Sequence, residues 1–133
     1  MRVVVFGGRD FRNYGLLFRA MDMLHERYNF TLVIDGKATG VDTLANKWAI
    51  HRGIDFVREP ADRDNLDVPG AVIKTNAYGK KYNALAGFTR NELMITKYNP
   101  EMGIAFPGGE GTSNMTKLCY KYGLDVKTVV PKR

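Results

Sequence analysis

Three glycine-bearing turns contain the residues of this sequence that are best suited to bind a charged ligand. Each turn follows an apolar run, and they read GGRD at 7–10, DGKATGVD at 35–42 and PGGEGT at 107–112. Glycine permits a positive φ and close approach to the backbone, so several N–H groups can point at one anion. A helix that begins after the turn also favours negative charge at its N-terminus. The turns therefore predict a cradle for a phosphorylated ligand.

The glycine pattern matches neither standard phosphate-binding fingerprint. GGRDFR does not complete G-x-G-x-x-G, and no G-x-x-x-x-G-K-[ST] occurs in the chain. A tight turn without a ligand would also explain one glycine-rich stretch. Because the three turns are predicted to lie at one edge of a sheet, a shared binding site is the better interpretation.

Polar residues beside these turns are the candidate ligand contacts. Arg9 either reaches a phosphate or carboxylate or is an exposed loop cation. Asp42 either caps the helix that it opens, holds a ribose hydroxyl or orients Arg9. Arg90 and Asn91 open another helix, where ligand binding competes with a structural salt bridge. Thr112 adds a hydroxyl donor or a helix cap beside the third turn.

Most other reactive side chains are predicted to be structural. Cys119 is the single cysteine, which excludes an internal disulfide, and its apolar neighbours favour a core or helix-surface position over a nucleophile. His25 and His51 are predicted to be surface residues, and the sequence contains no metal-ligand cluster, so we expect neither a metal nor a cofactor. Five aromatic residues could stack on a base: Tyr14, Trp48, Tyr78, Tyr82 and Phe88. Trp48 lies at core spacing, and Tyr78 and Tyr82 in the long loop are the better candidates.

Apolar runs and helical patterns alternate along the chain. A long loop is predicted at 60–85, with room for a short helix or hairpin. Strands that alternate with helices form parallel sheets through right-handed crossovers. The pattern thus predicts one α/β domain over residues 1–133, with a mostly parallel central sheet of about five strands. The predicted strands are 2–6, 30–34, 54–59, 102–106 and 125–130, and the predicted helices are 14–28, 41–52, 89–98 and 112–122.

Composition limits the partners and the compartment. The 133 residues have a hydrophobic fraction of 44% and a formal charge of +6. No segment approaches the roughly 18 uncharged apolar residues of a membrane helix, and the first residues resemble a strand rather than a signal region, so we expect a cytoplasmic protein. A basic chain favours anionic partners, and both nucleic acids and phosphorylated small molecules meet that description.

Four segments together resemble the YspA-like branch of the SLOG superfamily. They read VVVFGGRDF, IDGKATGVDTLANKWA, AGFTRNELM and IAFPGGEGTSNM, in that order along nearly the whole chain. The resemblance implies a Rossmann-like three-layer domain that forms dimers and that senses or processes nucleotide-derived ligands. ADP-ribose and molecules related to NAD are the candidate ligands. The chain departs from the usual sequence pattern of this branch at Phe88 and at Lys37 and Ala38. The implied ligand-binding residues are Gly7, Gly8, Arg9, Gly36, Gly40, Asp42, Arg90, Asn91, Pro107, Gly108, Gly109, Gly111 and Thr112.

The same superfamily includes the Lonely Guy phosphoribohydrolases, which hydrolyse the N-glycosidic bond of nucleoside monophosphates. Arg90 is similar to their catalytic arginine, but Met115 occupies the position of their catalytic glutamate. A thioether neither transfers a proton nor stabilises an oxocarbenium charge. If the chain is a hydrolase, the residues that the resemblance leaves for catalysis are Arg90 and Glu110.

Three functions follow from these observations. The first is binding of a phosphorylated nucleotide or nucleotide-derived ligand, with or without weak catalysis. The second is hydrolysis of a nucleotide N-glycosidic bond. The third is binding of single-stranded nucleic acid, because DNA processing protein A carries a related domain and the chain is basic. The positive charges are spread along the chain without an aromatic and basic ladder, which favours the first function over the third.

Overall fold

Alternating strands and helices build the fold, as the sequence pattern predicts. The computed structural model describes residues 1–67 and 70–131. In chain order the elements are β1 (Arg2–Phe6), α1 (Tyr14–Tyr28), β2 (Leu32–Asp35), α2 (Val41–Arg52), β3 (Asp55–Arg58), β4 (Ile73–Thr75), β5 (Lys81–Asn83), α3 (Ala86–Tyr98), β6 (Met102–Ala105), α4 (Glu110–Lys121) and β7 (Asp125–Thr128).

The central sheet has five parallel strands in the order β3-β2-β1-β6-β7. In its middle strand, Val4 pairs with Ile34 of β2 and with Gly103 of β6. Both faces of β1 are covered, which explains why its residues form a continuous apolar run instead of alternating with polar ones. The predicted parallel sheet of about five strands is confirmed.

Helices cover both faces of the sheet and produce three layers. Val3 and Val5 point to the face covered by α1 and α2, where they pack with Leu17 and Trp48. Val4 and Phe6 point to the other face, where Met94 of α3 and Cys119 of α4 cover them. The alternation along one buried strand thus supplies two separate cores. A Rossmann-like three-layer α/β fold is the result.

Helix ends follow local capping chemistry where the sequence contains a clear signal. Asn13 Oδ1 accepts a hydrogen bond from the amide of Leu16 at 3.1 Å and caps α1 as predicted. Gly53 ends α2 in the left-handed region, with a φ of 68°. In contrast, α3 begins three residues before its predicted start and α4 two residues before. Each early turn contains a glycine, Gly87 or Gly111, whose low helix propensity favoured a later start.

The inward face of α3 differs in part from the prediction. Met94 is buried as predicted, but Leu93 is 41% exposed, and Ile95 takes the second core position. Asn91, Met94, Ile95 and Tyr98 recur at the helical spacing that points one stripe at the sheet. The helical pattern of 89–98 in the sequence predicts that both Leu93 and Met94 turn inward, and for Leu93 this prediction is wrong.

The 60–85 segment contains the hairpin that the sequence allowed. Strands β4 and β5 pair antiparallel, separately from the central sheet, with Lys74 opposite Tyr82. The loop prediction also covers Val68 and Pro69, which lie outside the described residues. Among the helices of residues 1–67 and 70–131, none has the length and apolar character needed to cross a membrane.

Candidate functional site

The candidate site lies where the strand order reverses. Strands β1 and β6 are neighbours, but the chain leaves β1 towards β2 and leaves β6 towards β7. In open α/β sheets, this reversal opens a crevice beyond the carboxyl ends of the two strands. A cavity of about 360 Å³ occupies that position here. Its volume is at the lower end of the range for small-molecule pockets.

Most of the predicted site residues line this cavity. The first and third turns contribute backbone and side chains, α2 contributes Asp42, and α3 contributes Arg90 and Asn91. The same cavity is therefore lined by residues that are more than 60 positions apart in the chain. The lining residues from the two turns and from the start of α4 are Gly7, Gly8, Arg9, Gly109, Glu110, Gly111 and Thr112.

The other four predicted residues lie behind the cavity wall and hold the turns together. Gly8 donates its amide to the carbonyl oxygen of Pro107 at 2.8 Å. A Cβ on Gly108 would lie 2.6 Å from the amide nitrogen of Gly8, and one on Gly40 would overlap the backbone of Gly8 and Arg9. Gly36 accepts a hydrogen bond from Arg90 through its carbonyl oxygen. Gly40 and Gly108 thus allow close packing against the backbone of the first turn, and Gly36 leaves room for the guanidinium of Arg90.

Positive φ is not how the third turn uses its glycines. Among the glycines of the three turns, Gly40 has a positive φ, 76°, whereas Gly109 has a φ of −105°. The predicted use of positive φ at Gly108, Gly109 and Gly111 is therefore wrong. A Cβ at Gly109 or at Gly111 would meet no described atom within 4 Å. Because neither residue has a side chain and no neighbouring group covers it, the backbone amides at these positions are accessible. The backbone there is open to whatever enters the cavity.

The N-terminus of α4 borders the cavity without a side-chain cap. Gly109 is the N-cap residue, and no side chain of the described residues accepts a hydrogen bond from the first turn. The first-turn amides of Glu110, Gly111 and Thr112 are among the donors that a helix leaves unpaired. Their partial positive charge favours an anion at this end of the cavity.

Arg90 is fixed in place by hydrogen bonds rather than by a salt bridge. Its Nε donates to Asn91 Oδ1 at 3.0 Å, and its Nη1 donates to the carbonyl oxygen of Gly36. Within the described residues no carboxylate lies within ion-pair distance of its guanidinium. Burial lowers the pKa of Arg90, and the nearby Asp42 opposes that effect. The salt-bridge alternative for Arg90 is thus wrong.

Asn91 links the two helices that meet at the cavity. Its side chain is buried, and Nδ2 donates to Asn114 Oδ1 at 3.0 Å and to the carbonyl oxygen of Gly111 at 3.3 Å. The acceptor at Gly111 belongs to the first turn of α4. Asn91 therefore sets the position of the uncapped helix N-terminus relative to Arg90.

Asp42 braces the loop after β2 instead of capping α2. Its Oδ2 accepts hydrogen bonds from the amides of Gly36 at 3.1 Å and Ala38 at 3.2 Å. The N-cap residue of α2 is Gly40, which has no side-chain cap, so the capping prediction is wrong. Burial, together with the negative charge of Asp35, raises the pKa of Asp42 to about 6. The cavity therefore contains a carboxyl group that titrates close to neutral pH.

Asp35 and Arg58 form a buried pair that the sequence analysis missed. Asp35 is fully buried, and its carboxylate accepts from Arg58 Nε at 2.9 and 3.2 Å and from the amide of Lys37 at 2.7 Å. Burial raises the pKa of Asp35, and the contact with Arg58 opposes that rise. The signal in the sequence was a carboxylate at the end of an apolar strand, directly before a glycine.

Arg63, which lines the cavity, was also missed by sequence reasoning. It lies between Asp62 and Asp64 in the 60–85 segment, which resembles a solvated charge cluster. In the fold, Arg63 lines the cavity beside Gly87 and Phe88 of α3. The hairpin that brings it there has no periodic pattern in the sequence, so this placement was not predictable from local signals.

Of the five aromatic residues predicted as stacking candidates, Phe88 lines the cavity, whereas the two preferred tyrosines do not. Tyr78 is 95% exposed in the turn of the hairpin, and neither it nor Tyr82 lines the cavity. The preference for these two tyrosines is therefore wrong, and Phe88 is the stacking candidate that lies at the cavity. Cys119 is buried, which raises the pKa of its thiol to about 11, so its predicted core position is confirmed.

Met115 is a core residue rather than a cavity residue. Its side chain is fully buried in the apolar cluster formed by Phe6, Ala105 and Cys119. Glu110, in contrast, is exposed in the first turn of α4 and lines the cavity. The position that carries the catalytic glutamate in Lonely Guy enzymes is thus filled here by an apolar side chain packed against the sheet.

The comparisons with known proteins agree with this architecture. A family model described as the YspA, cpYpsA-related SLOG family matches residues 1–65. The match covers β1 to β3 and the first two glycine turns, whereas α3, α4 and the third turn lie beyond it. The comparison with curated proteins found no match. Over these 65 residues the chain is thus similar to the YspA, cpYpsA-related SLOG family, which supports the predicted resemblance to the YspA-like branch.

Proposed function

We propose that the cavity binds a phosphorylated nucleotide or a nucleotide-derived ligand, with a phosphate at the N-terminus of α4. The observation that carries this proposal is the open, uncapped first turn of α4 facing a cavity that also contains Arg9. Backbone donors and a guanidinium at one end of a cavity are the groups that recognise a phosphate. Similarity to this family supports a nucleotide-derived ligand, and ADP-ribose or a molecule related to NAD is a candidate.

The rest of the cavity suits a ribose and a base. Oδ2 of Asp42 is occupied by loop amides, while Oδ1 accepts no hydrogen bond from the described residues and is available to a ribose hydroxyl. The ring of Phe88 and the side chain of Met94 supply the apolar surface on which a base stacks. The ligand then extends from α4 towards the start of α3.

Gly111 provides a direct test of the phosphate site. Gly111→Val places a branched side chain beside the first-turn amides, and nothing in the described protein obstructs it. Gly15→Val is a matched control, because Gly15 is likewise the second residue of a helix with open space around it, on the other face of the sheet. Calorimetric titrations with the common nucleoside 5′-monophosphates and ADP-ribose compare the two variants with the parent protein.

We expect Gly111→Val to weaken nucleotide binding by about tenfold or more, because charge-assisted hydrogen bonds are lost. Gly15→Val is expected to bind as the parent protein does. Equal effects of the two substitutions, or no binding of any nucleotide by the parent protein, would contradict the proposal. Steeply salt-dependent binding to single-stranded nucleic acid instead would favour that function.

Hydrolysis of a nucleotide N-glycosidic bond is a second candidate because Asp42 shares the cavity with Arg90. A carboxyl group with a pKa of about 6 is suited to proton transfer near neutral pH. Met115 removes the glutamate of the Lonely Guy mechanism, so Asp42 and Glu110 are the carboxyl groups that remain at the cavity. Release of free base, lost in Asp42→Asn and retained in Gly15→Val, would establish this activity. Complete inactivity at high protein concentration would exclude it.

A further inference from the structure

Arg63 faces the cavity without a partner for its charge among the described residues. Its side chain is half-buried, and it makes no ion pair and donates no side-chain hydrogen bond within residues 1–67 and 70–131. Its neighbour Asp64 is paired instead with Lys80, at 3.1 Å. Among the described residues, its guanidinium therefore loses water without gaining an acceptor, which costs free energy.

The backbone holds Arg63 against the start of α3. The carbonyl oxygen of Arg63 accepts a hydrogen bond from the amide of Asn83 at 2.7 Å. Asn83 is buried, and its Oδ1 accepts from the amides of Leu85 at 3.0 Å and Val72 at 3.3 Å. One buried asparagine therefore ties the Arg63 segment, the hairpin and the first turn of α3 together.

Two guanidinium groups converge at Gly87. A Cβ on that glycine would lie 3.6 Å from Arg63 Nη2 and 3.9 Å from Arg90 Nη2. Arg90 uses Nε and Nη1 in hydrogen bonds to Asn91 and Gly36, which leaves its Nη2 for another acceptor. Both residues and Gly87 line the same cavity as the N-terminus of α4.

Two positive charges placed together repel each other unless an anion lies between them. No carboxyl group of the described residues lies within ion-pair distance of either guanidinium, although Asp42, Asp35 and Glu59 stabilise the charge of Arg90 from further away. Asp42 directs Oδ2 at the loop after β2, and Glu110 lies on α4. The absence of a side chain at Gly87 keeps the space between the two Nη2 atoms open. Nη2 of Arg90 on one side and the guanidinium of Arg63 on the other supply charged N–H donors, which suit a phosphate group.

We propose that Arg63 and Arg90 form a second phosphate subsite, so that the ligand is a nucleotide with two phosphate groups. This inference rests on the proposed function, in which the other phosphate occupies the N-terminus of α4. The second phosphate belongs either to the ribose, as in a nucleoside 3′,5′-bisphosphate, or to a pyrophosphate, as in a nucleoside 5′-diphosphate. Both have the same recognition chemistry, and titration separates them.

The test compares one phosphate with two at constant ionic strength. The ligands are the 5′-monophosphates, 5′-diphosphates and 3′,5′-bisphosphates of adenosine and guanosine. Each ligand is titrated into the parent protein and into the variants Arg63→Ala, Arg63→Gln and Arg19→Ala. Arg19 is an exposed residue of α1 on the opposite face of the sheet and serves as the matched loss of one positive charge. Circular dichroism and thermal unfolding verify that each variant is folded.

We expect the parent protein to bind one of the two-phosphate ligands at least about tenfold more tightly than the monophosphate. In Arg63→Ala and Arg63→Gln this ratio falls to about one, and in Arg19→Ala it is retained. A ratio near one in the parent protein, with the monophosphate bound, overturns the second subsite alone. A ratio that Arg63→Ala and Arg19→Ala lower equally reflects net charge and also overturns it. Absence of binding by every nucleotide overturns the proposed function and this subsite together.

Discussion

Arg90 Nη1 donates to the carbonyl oxygen of Gly36 and so joins the first turn of α3 to the loop after β2. The bond spans 54 positions of the chain and crosses from one helix of the cavity wall to the strand that supplies Asp35. It leaves the far side of the guanidinium free to face the cavity. Arg90 is therefore both part of the wall and a candidate ligand contact.

This double role predicts that Arg90→Ala destabilises the fold as well as the ligand complex. The substitution leaves the Gly36 carbonyl and the Asn91 side chain without a donor, at a cost of about 1 to 3 kcal/mol. Arg90→Lys retains the charge but not the planar fork, so we expect it to recover only part of the loss. Urea unfolding measures the change, with Arg19→Ala as the control. Full stability in Arg90→Ala would show that the wall does not depend on this bond.

A second prediction concerns the pH dependence of stability at Asp42. Burial and Asp35 raise its pKa from 3.8 to about 6. A pKa that is higher in the folded protein favours the fold while the group is protonated. Ionisation of the buried Asp42 carboxyl therefore destabilises the folded protein. This destabilisation is absent below about pH 4, grows as the pH rises towards 6 and is constant above that.

Asp42→Asn removes the titration but retains an oxygen acceptor for the loop amides. Relative to the parent protein, the variant should gain unfolding free energy between pH 4 and 6, by up to about 3 kcal/mol. Asp35 and Arg90, the charged groups that act on Asp42, are present in both proteins. The difference in unfolding free energy between the two proteins therefore reports the Asp42 carboxyl. Chemical unfolding at a series of pH values measures it. A difference that stays constant from pH 4 to 7 would mean that Asp42 does not titrate in that range.

How far the sequence predicts the fold depends on how local the signal is. Tyr14–Tyr28 and Val41–Arg52 have predicted ends that agree with the structure, because an asparagine cap and a terminal glycine define them. At Ala86 and Glu110, glycines in the first turn obscured the start of the helix. Periodic burial and caps act within a few residues, so both are visible in a single sequence.

The candidate site shows the same division. The three glycine turns could be assigned to one site from the sequence, because each follows a predicted strand of the same parallel sheet and so lies at the same sheet edge. Arg63 was not visible, because its position depends on Asn83 and on a hairpin without a periodic pattern. Asp42 was placed correctly beside the cavity, but its hydrogen bonds run to Gly36 and Ala38. Side-chain partners across a loop depend on tertiary geometry that spacing alone does not specify.

A third prediction concerns whether position 115 tolerates a glutamate, since Met115 occupies the position of the catalytic glutamate in Lonely Guy enzymes. Met115→Leu conserves volume in an apolar cluster and should change stability by less than about 1.5 kcal/mol. Met115→Glu places a carboxyl in the same fully buried position, and we expect it to destabilise by about 3 kcal/mol or more at pH 7. Thermal unfolding of the two variants separates these outcomes. If Met115→Glu were as stable as Met115→Leu, position 115 would have access to water, and a glutamate there could serve the cavity.

A fourth prediction concerns the pair formed by Asp35 and Arg58, which lies under the loop that Asp42 braces. Removing the cation alone leaves a fully buried carboxylate without its charged partner, so Arg58→Ala should destabilise by about 3 kcal/mol at pH 7. The same variant should regain stability at lower pH, because protonation of Asp35 removes the uncompensated charge. Asp35→Asn combined with Arg58→Ala is expected to be more stable than Arg58→Ala alone, since neither charge is then present. The four proteins of this cycle, compared by urea unfolding at pH 5 and 7, give the coupling energy directly. A coupling energy near zero at pH 7 would mean that the two groups act independently, and that the loop after β2 is held by its other hydrogen bonds, which involve Asp42, Thr43 and Arg90.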